Sequence, residues 1–428
     1  MTNALPDIFL TSPDLQRWVE GGGLSILAAR LETPFYVYSA PDIRERIARL
    51  QAALSGLDTV ICYAVKANPS LAILQLMAAA GLGADIVSGG ELQRSLRGGI
   101  PAQRIVFSGV GKTEAEMAAA LAAGVSRFNL ESAHELETLQ QIASNQDRLA
   151  HAAVRINPDV DAGTHAKIST GRSENKFGVA VGEARRWFAD AAQFSHVRLD
   201  GLHVHIGSQI LTLDPFRQAL ARIAAFWREL AAAGRAIASI DVGGGLGVCY
   251  RGDRDQPVAL ADYAGVIRET LAGFGGKIVL EPGRYLVAEA GVLLTRVVRV
   301  KEGERRRFLV LDAAMNDLVR PSLYDAWHDI VPLHARRRPR VRYDVVGPVC
   351  ETGDTFASGR ELPNCEAGDL VMITGAGAYG AAMASTYNSR PLLAEVMVDG
   401  DRYAVIRRRQ TYDELMTGET LTREWQAA

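Results

Sequence analysis

The chain has 428 residues, a length that corresponds to two or three domains and excludes a small disulfide-stapled fold. Its 48% hydrophobic and 22% charged residues are typical of a globular protein and exclude a mainly disordered one. With 47 basic and 49 acidic residues the net charge is −2, so there is no electrostatic case for nucleic acid as the main partner. We therefore expect a small-molecule partner.

The cysteine content and the terminal segment predict a cytoplasmic protein. The four cysteines are widely separated, which favours neither a zinc ribbon nor a disulfide framework. The first residues show no basic segment followed by a continuous apolar run, so they do not predict a secretory signal. No stretch reaches the roughly 18 apolar residues that a membrane span needs.

The first large region alternates short β-rich runs with longer helical patterns. The runs cover 59–68, 84–88, 104–109, 126–132, 152–158, 198–208, 237–245 and 277–283. The helical patterns between them include three that end at Gly81, Gly124 and Gly234, as expected for helix caps. Eight consecutive βα units predict an α/β fold of the TIM type, a (βα)8 barrel, with an open doubly wound sheet as the alternative.

After residue 283 the pattern changes to strands joined by turns, which predicts an all-β C-terminal domain. We assign the barrel to 34–284 and the β domain to 285–428, with 1–33 joining the latter. The first 33 residues show no long helix. The charge runs at 302–307 and 334–342 are interpreted as solvated loops or hairpins.

Polar residues end several of the barrel runs, and reactive groups of such barrels lie at the carboxyl ends of the strands. Lys66 directly follows the apolar residues VICYAV of the first run, where partial burial favours the neutral, nucleophilic amine that a Schiff base requires. The alternative, for Lys66 taken alone, is a side chain that extends to solvent at the barrel rim.

Three consecutive glycines, Gly243, Gly244 and Gly245, end the seventh run. Without Cβ atoms, their backbone N–H groups can approach an anion such as a phosphate. The spacing matches neither a dinucleotide-binding fingerprint nor a P-loop, and tight turns without a ligand remain the alternative.

Two histidines and an acid complete the candidate site. His203 and His205 are two residues apart on a strand and face the same side, but further metal ligands have no obvious source, so we predict no metal. A histidine ring can instead stack on a planar cofactor. Glu281 ends the eighth run, where a carboxylate could keep a heterocyclic nitrogen protonated, a salt bridge to Arg284 being the alternative. Together with Lys66 and the glycines, these groups predict a pyridoxal 5'-phosphate site.

Ordered motifs run from TPFYVYS (33–39) to RRRQTYDEL (407–415). They include YAVKAN, HAKISTGRSENKFG, HVHIGSQ, DVGGGLG, EPGRYLV, LVRPSLYDAWH, GPVCETGD and GAYGAAMASTYNSRP. In these motifs the chain resembles the fold-type III pyridoxal-phosphate decarboxylases, and most closely the members that act on diaminopimelate. The resemblance implies a barrel followed by a β domain, a homodimer with active sites at its interface, and decarboxylation of meso-2,6-diaminopimelate to L-lysine and CO2, the last step of lysine biosynthesis.

The resemblance also implies roles for individual residues. Lys66 would hold the cofactor covalently, with Asp85 near that lysine. His205 would lie on the ring face, and Glu281 would lie at the pyridine nitrogen. The residues at or beside the phosphate would be Ser208, Gly243, Gly244, Gly245, Gly283 and Arg284, and Tyr379 would also contact the cofactor. The substrate would contact Arg284, Arg320, Tyr324, Glu351 and Tyr379. Cys350, contributed across the dimer interface with Glu351, would be the proton donor.

The implied chemistry suits these side chains. The protonated ring accepts the electron pair released with CO2, and a thiol, mostly protonated at neutral pH, can then protonate the carbon. For Cys350 alone, a small buried hydrophobe is the alternative. Diaminopimelate carries a distal carboxylate and ammonium, for which two arginines with a tyrosine and an acid form a suitable receiver.

Three other functions remain open at this point. The same chemistry could act on carboxynorspermidine, ornithine or arginine. A racemase of the alanine type shares the barrel but is expected to place an arginine, not Glu281, at the pyridine nitrogen. A non-enzymatic cofactor-binding protein would resemble the barrel alone, whereas this chain continues into the β domain with GPVCETGD.

Overall fold

The computed structural model describes residues 12–168, 170–171, 175–333, 338–422 and 425. Their backbone divides into two compact units. The barrel unit contains residues 12–14 and 39–290, and the sheet unit contains residues 15–38 and 291 onward. No helix in the described ranges is long and apolar enough to cross a membrane.

The chain begins with two short helices and a strand: α1 (Pro13–Glu20), α2 (Gly23–Arg30) and β1 (Phe35–Ser39). Each helix has eight residues, so neither helix described between residues 12 and 33 is long. All five residues of β1 are buried. β1 pairs antiparallel with the first strand that follows the barrel, with Phe35 opposite Leu294 and Val37 opposite Val292.

Eight parallel strands close the barrel. They are β2 (Thr59–Ala64), β3 (Gly83–Ile86), β4 (Ile105–Phe107), β5 (Arg127–Leu130), β6 (Ala150–Arg155), β7 (Val197–His203), β8 (Ser239–Asp241) and β9 (Lys277–Leu280). β2 pairs with β9, with Val60 opposite Val279, so the sheet returns to its first strand. The predicted barrel is confirmed, and the open doubly wound sheet is excluded.

Helices follow the strands and place the carboxyl end of each strand at one rim of the barrel. They are α3 (Ala40–Ala53), α4 (Leu71–Ala79), α5 (Gly89–Arg97), α6 (Glu114–Ala123), α7 (Ala133–Asn145), α8 (Val181–Ala189), α9 (Asp214–Ala232), α10 (Leu260–Thr270) and α11 (Arg284–Val287). α6 begins with a capping box between Thr113 and Glu116 and ends at Gly124, whose φ of 83° suits a glycine.

The sheet unit is formed mainly of strands. Its elements are β10 (Gly291–Glu302), β11 (Arg307–Leu311), α12 (Arg320–Tyr324), β12 (Ile330–Pro332), β13 (Arg340–Val346), β14 (Thr355–Pro363), β15 (Leu370–Ile373), β16 (Ala394–Asp399), β17 (Arg402–Arg407) and α13 (Tyr412–Leu415). The strand order is β14-β13-β11-β10-β1-β16-β17, with β15 pairing with β10 and β12. The charge run 302–307 joins β10 to β11, whereas residues 334–337 of the second charge run lie outside the described residues.

Candidate active site

Lys66 and Asp85 lie at the carboxyl ends of two adjacent strands. Lys66 is in a single turn, Val65–Ala67, directly after β2, and Asp85 lies in β3 opposite Ala64. The Nζ atom of Lys66 is 2.6 Å from Oδ2 of Asp85, whose side chain is completely buried. Burial and the nearby Glu281 raise the pKa of Asp85, while Lys66 lowers it. The amine is therefore held by an acid on the barrel rim.

Glu281 follows β9 and is buried among polar side chains. Its Oε1 accepts hydrogen bonds from Nδ2 of Asn129 at 3.2 Å and from Oγ of Ser108 at 3.3 Å. Its Oε2 lies 3.3 Å from Nε2 of His203. Burial raises the pKa of Glu281, but His203 and Lys66 outweigh burial and hold the pKa well below its usual value. Glu281 is therefore a carboxylate within the barrel.

Asp241 ends β8 beside Glu281, and its pKa moves in the opposite direction. Burial and the charge of Glu281 raise its pKa well above the usual value. Its Oδ1 accepts a hydrogen bond from the backbone N–H of Gly243 at 2.9 Å. Potential ligand atoms of Asp241, Glu281 and His203 all lie within 4.8 Å of one another. The sequence pattern pairs His203 with His205 and offers no further metal ligands, whereas the fold brings His203 close to two acids.

His205 is oriented by the glycine run. Its Nδ1 accepts a hydrogen bond from the backbone N–H of Gly244 at 3.1 Å. Burial, with help from Arg155 and Lys66, lowers its pKa to about 3, so the ring is neutral and its Nδ1 lone pair is available as an acceptor. A Cβ atom at Gly244 would collide with the backbone carbonyl of Glu281, so only glycine fits there. The N–H groups of Gly243 and Gly244 thus act within the chain, whereas we had expected them to be free for an anion.

Arg284 is hydrogen-bonded to two hydroxyl groups. Its Nη2 and Nε donate to Oγ of Ser208 at 3.1 and 3.3 Å, and its Nη1 donates to the hydroxyl of Tyr250 at 2.7 Å. These contacts replace the Glu281 to Arg284 salt bridge that we had kept as the alternative. A Cβ at Gly283 would lie 3.0 Å from the Cβ atoms of Ala64 and Ala67, on either side of Lys66. Tyr250 was missed by the sequence analysis because it lies in a loop beyond the glycine run.

In the sheet unit, Arg320 is buried and positioned by a histidine. Its Nη1 lies 2.9 Å from Nε2 of His328, and Nδ1 of His328 lies 2.7 Å from the carbonyl of Thr374. Nδ1 therefore carries the proton that is donated to this carbonyl, and Nε2 accepts from Arg320. Tyr324 ends the same helix, α12, and is partly exposed. His328 was part of the matching motif but had been given no role.

Cys350 and Glu351 lie in an exposed loop that Asp354 fixes. The carboxylate of Asp354 accepts from the backbone N–H of Val349 and of Met315, both at 2.7 Å. Both Cys350 and Glu351 are exposed. Because Asp354 fixes the backbone at Val349, Cys350 and Glu351 are exposed at a defined position.

Tyr379 has a left-handed backbone conformation with φ of 55°, which is strained for a bulky residue. Such strain often accompanies functional sites, where the surrounding structure fixes an unusual side-chain direction. Next to it, a Cβ at Gly380 would lie 3.0 Å from the ring of Tyr36. The sequence alone gave no indication of this conformation.

The structure thus groups the predicted barrel residues and adds Tyr250, while Arg320, Tyr324, Cys350, Glu351 and Tyr379 belong to the sheet unit. The barrel residues fit pyridoxal phosphate: an amine on the rim, a buried carboxylate, a neutral and oriented imidazole, and an arginine bonded to two hydroxyls. A closed βα barrel with this set of side chains defines a pyridoxal-phosphate enzyme.

Comparison with known proteins identifies the family. Residues 40–288 match the model of the pyridoxal-dependent decarboxylase, pyridoxal binding domain. The chain is 48% identical to the diaminopimelate decarboxylase of Zymomonas mobilis, over 95% of this chain and 97% of that protein. It is 42% identical to the enzyme of the same name from Aquifex aeolicus, over 95% and 96% of the two chains.

Solved structures agree in fold. Diaminopimelate decarboxylase from Helicobacter pylori, complexed with L-lysine, superposes with a TM-score of 0.89 at 43% identity and covers 92% of this chain and 98% of its own. The enzyme from M. jannaschii, also in complex with L-lysine, has a TM-score of 0.88 at 36% identity, covering 93% and 94%. The chain belongs to the diaminopimelate decarboxylase family of pyridoxal-dependent decarboxylases.

Proposed function

We propose that this chain uses pyridoxal phosphate to decarboxylate meso-2,6-diaminopimelate to L-lysine and CO2, the last step of lysine biosynthesis. The observation that carries the proposal is similarity to diaminopimelate decarboxylases over both units, with 97% of the Zymomonas relative covered. A cofactor-binding barrel alone would account for only part of that match. The sheet unit contributes Arg320 and the Cys350 loop, which a cofactor carrier would not need.

Bound pyridoxal phosphate supplies a ring that accepts the electron pair left behind by CO2. Lys66 would hold the cofactor covalently through Nζ and release it to the substrate amine. Glu281 would face the pyridine nitrogen and keep a proton there, because it is ionised within the barrel. His205 would lie against the ring, with its plane fixed by the Gly244 amide.

The phosphate would be held at the opposite end of the ring. Arg284 and Ser208 already form a hydrogen-bonded pair, and the hydroxyl of Tyr250 fixes the other end of the guanidinium. Arginine binds phosphate oxygens in bidentate fashion, so this group can hold a phosphate without a large rearrangement. Gly245 and Gly283 would let backbone and cofactor come close at this point.

The distal end of the substrate carries a carboxylate and an ammonium group. Arg320 would bind the carboxylate, because His328 holds its guanidinium from behind and thereby directs it. Glu351 would balance the ammonium, with Tyr324 and Tyr379 completing the contacts. Ornithine has no distal carboxylate and would leave a buried arginine without an anion, so this set of residues favours diaminopimelate.

A proton must finally reach the carbon that lost CO2. The thiol of Cys350 would deliver it from Sγ. Asp354 would keep the thiol in place through its two backbone contacts at 2.7 Å.

The working unit that we propose is a homodimer in the cytoplasm, with Cys350 and Glu351 entering the site of the partner subunit. Both side chains are exposed in the single chain. None of the four cysteines, all in the described ranges, forms a disulfide, as expected in a reducing compartment.

The primary experiment is incubation of the purified protein with pyridoxal phosphate and meso-diaminopimelate, followed by mass spectrometry of L-lysine and CO2. We expect lysine from the wild type and from Lys277→Ala, whose lysine is exposed and pairs with Asp58, but not from Lys66→Ala. Ornithine, arginine and carboxynorspermidine should give no product. A cofactor-loaded wild type that forms no lysine but decarboxylates one of these three would replace the proposed substrate.

A second experiment tests the shared site. Lys66→Ala and Cys350→Ala chains are each expected to be nearly inactive. If they exchange at random, about half of the dimers are mixed, and each of these has one intact site, which predicts about a quarter of the wild-type activity. No recovery in mixtures that demonstrably exchange subunits would contradict a site built from two chains.

A further inference from the structure

His203 is a buried histidine that the proposed mechanism does not use. It ends β7 with 1% of its surface exposed. In the barrel register it lies between Arg155 on one side and Asp241 on the other. Apart from its ion-pair contact with Glu281 at 3.3 Å, neither ring nitrogen makes a hydrogen bond within the described residues. A buried imidazole without such bonds is costly, so its position calls for an explanation.

The two oxygens of Glu281 have different surroundings. Oε1 accepts from two neutral donors, the side chains of Asn129 and Ser108. Oε2 faces His203, the one partner among these that can carry a positive charge. The neutral donors fix where the carboxylate lies, and His203 can also determine whether it stays ionised.

The charges around this pair come from every neighbouring strand end. Lys66 follows β2, and Asp85, its partner, lies in β3. Arg155 ends β6 and pairs with Glu131 at 2.9 Å. Asp241 ends β8, and the neutral His205 lies two residues after His203. Burial and Glu281 raise the pKa of Asp241, which favours the protonated form of this acid beside Glu281. Among these groups, His203 is the one whose ring nitrogen contacts Oε2 of Glu281 directly, at 3.3 Å.

We propose that His203 is a positioning residue that holds Glu281 as a carboxylate directed at the pyridine nitrogen of the cofactor. Without this imidazole, Glu281 would lie buried beside Asp241 and Asp85 and would lose its contact at Oε2, so burial would favour the protonated form of Glu281. A protonated Glu281 could no longer stabilise a protonated ring nitrogen. This inference rests on the proposed role of Glu281.

The test measures cofactor binding. Wild type and the His203→Gln variant are stripped of cofactor, and the dissociation constants are measured for pyridoxal phosphate and for its 1-deaza analogue, in which CH replaces the ring nitrogen. The ratio of the two constants isolates the contact at that nitrogen. In His203→Gln we expect the preference for pyridoxal phosphate over the analogue to fall by about tenfold, since the variant loses the imidazole contact at Oε2 of Glu281.

Control variants separate the possible outcomes. Asp241→Asn keeps an oxygen that can accept from the Gly243 amide and leaves the contact between His203 and Glu281 in place, so it should not reduce the ratio, whereas Glu281→Gln should reduce it. A loss of affinity for both cofactors by the same factor in His203→Gln means a structural role only and overturns the proposal. If Glu281→Gln also leaves the ratio unchanged, the role of Glu281 itself is wrong.

Two further measurements keep the test decisive. If His203→Gln does not fold, His203→Asn, which is smaller and also neutral, takes its place, with folding checked by circular dichroism. Elemental analysis of the purified holoenzyme and of the variant checks for a metal. One equivalent of a metal that is lost in the variant would assign the His203, Asp241 and Glu281 group to metal binding and overturn the proposal.

Discussion

The Nζ atom of Lys66 lies 2.6 Å from Oδ2 of Asp85, and only the lysine of this pair is partly exposed to solvent. The carboxylate favours the ammonium form of Lys66, whereas capture of an aldehyde requires the neutral amine. Asp85 therefore lowers the fraction of Lys66 that is a neutral, reactive amine in the cofactor-free protein. When the cofactor is bound, the carboxylate of Asp85 would still favour a positive charge on Nζ of Lys66.

Asp85→Asn should make cofactor capture possible at lower pH. Removal of the negative charge leaves more of the neutral amine, and we expect the pH profile of the capture rate to move down by about one unit. The rate is followed by absorbance after mixing cofactor-free protein with pyridoxal phosphate. Asp58→Asn, which breaks the exposed pair with Lys277, is the control and should not move the profile. An unchanged pH profile for Asp85→Asn would show that Asp85 does not set the protonation of Lys66 during cofactor capture.

Tyr250→Phe should weaken cofactor binding. The substitution removes the hydroxyl that accepts from Nη1 of Arg284 at 2.7 Å and leaves the ring in place. A hydrogen bond to a charged group contributes about 1.5–3 kcal/mol, so the dissociation constant of pyridoxal phosphate should rise roughly tenfold to a hundredfold. Fluorescence titration measures it. Tyr412→Phe, at a tyrosine that is 69% exposed, should bind normally, and a matching affinity in the Tyr250 variant would remove Tyr250 from the phosphate group.

His328→Phe should impair substrate binding without affecting the cofactor. The variant loses the acceptor that directs Arg320 and the donor to the Thr374 carbonyl. We expect KM for meso-diaminopimelate to rise about tenfold, with the dissociation constant of pyridoxal phosphate unchanged. Steady-state kinetics and cofactor titration measure the two separately. His134→Phe, at an exposed position on α7, is the control. Equal effects on both quantities would indicate general disruption of the fold.

Asp317 should make the cofactor-free protein less stable as pH rises from about 4 to 6. Burial raises its pKa to about 6, although a hydrogen bond from the backbone of Ala314 and the charge of Arg390 lower it. The native state therefore holds a proton that the unfolded chain has lost above about pH 4, so the free energy of unfolding falls across this window. A difference of about two pKa units corresponds to about 3 kcal/mol.

Urea unfolding of Asp317→Asn at several pH values tests this dependence. The amide stays neutral, keeps an oxygen that can accept from Ala314, and should flatten the curve between pH 4 and 6. The variant should then be more stable than the wild type at pH 7. A curve as steep as that of the wild type would assign the pH dependence to other groups.

The barrel could be predicted from sequence because its strands are short apolar runs separated by amphipathic helices with recognisable caps. All eight runs contain or overlap a barrel strand. Three strands of the sheet unit were not predicted: β1, β12 and β14. β1 falls within the range 34–284 that we assign to the barrel but outside its eight predicted runs. β12 has three residues, and β14 is a polar edge strand that includes Gly359 at φ of 60°.

Site residues at the ends of barrel strands could be predicted from sequence, whereas site residues in loops could not. Residues at strand ends, such as Lys66 and Glu281, could be found because the barrel geometry fixes where they lie. Tyr250 and His328 could not, because they act through side chains that the fold brings close from loops. The pairing of His203 with Glu281 joins residues 78 positions apart and depends on the barrel register, which the runs alone do not fix.

The position of β1 in the sheet has a consequence for biosynthesis of the chain. β1 is made first, yet its two neighbours, β10 and β16, are both translated after the barrel. At a ribosomal rate of about 5–20 residues per second, translation of residues 39–290 takes roughly 10–50 s. During that time the apolar side chains of Phe35 to Tyr38 have no strand to pair with. The barrel can fold while it emerges from the ribosome, whereas the sheet unit can complete its sheet only after its last strands are released.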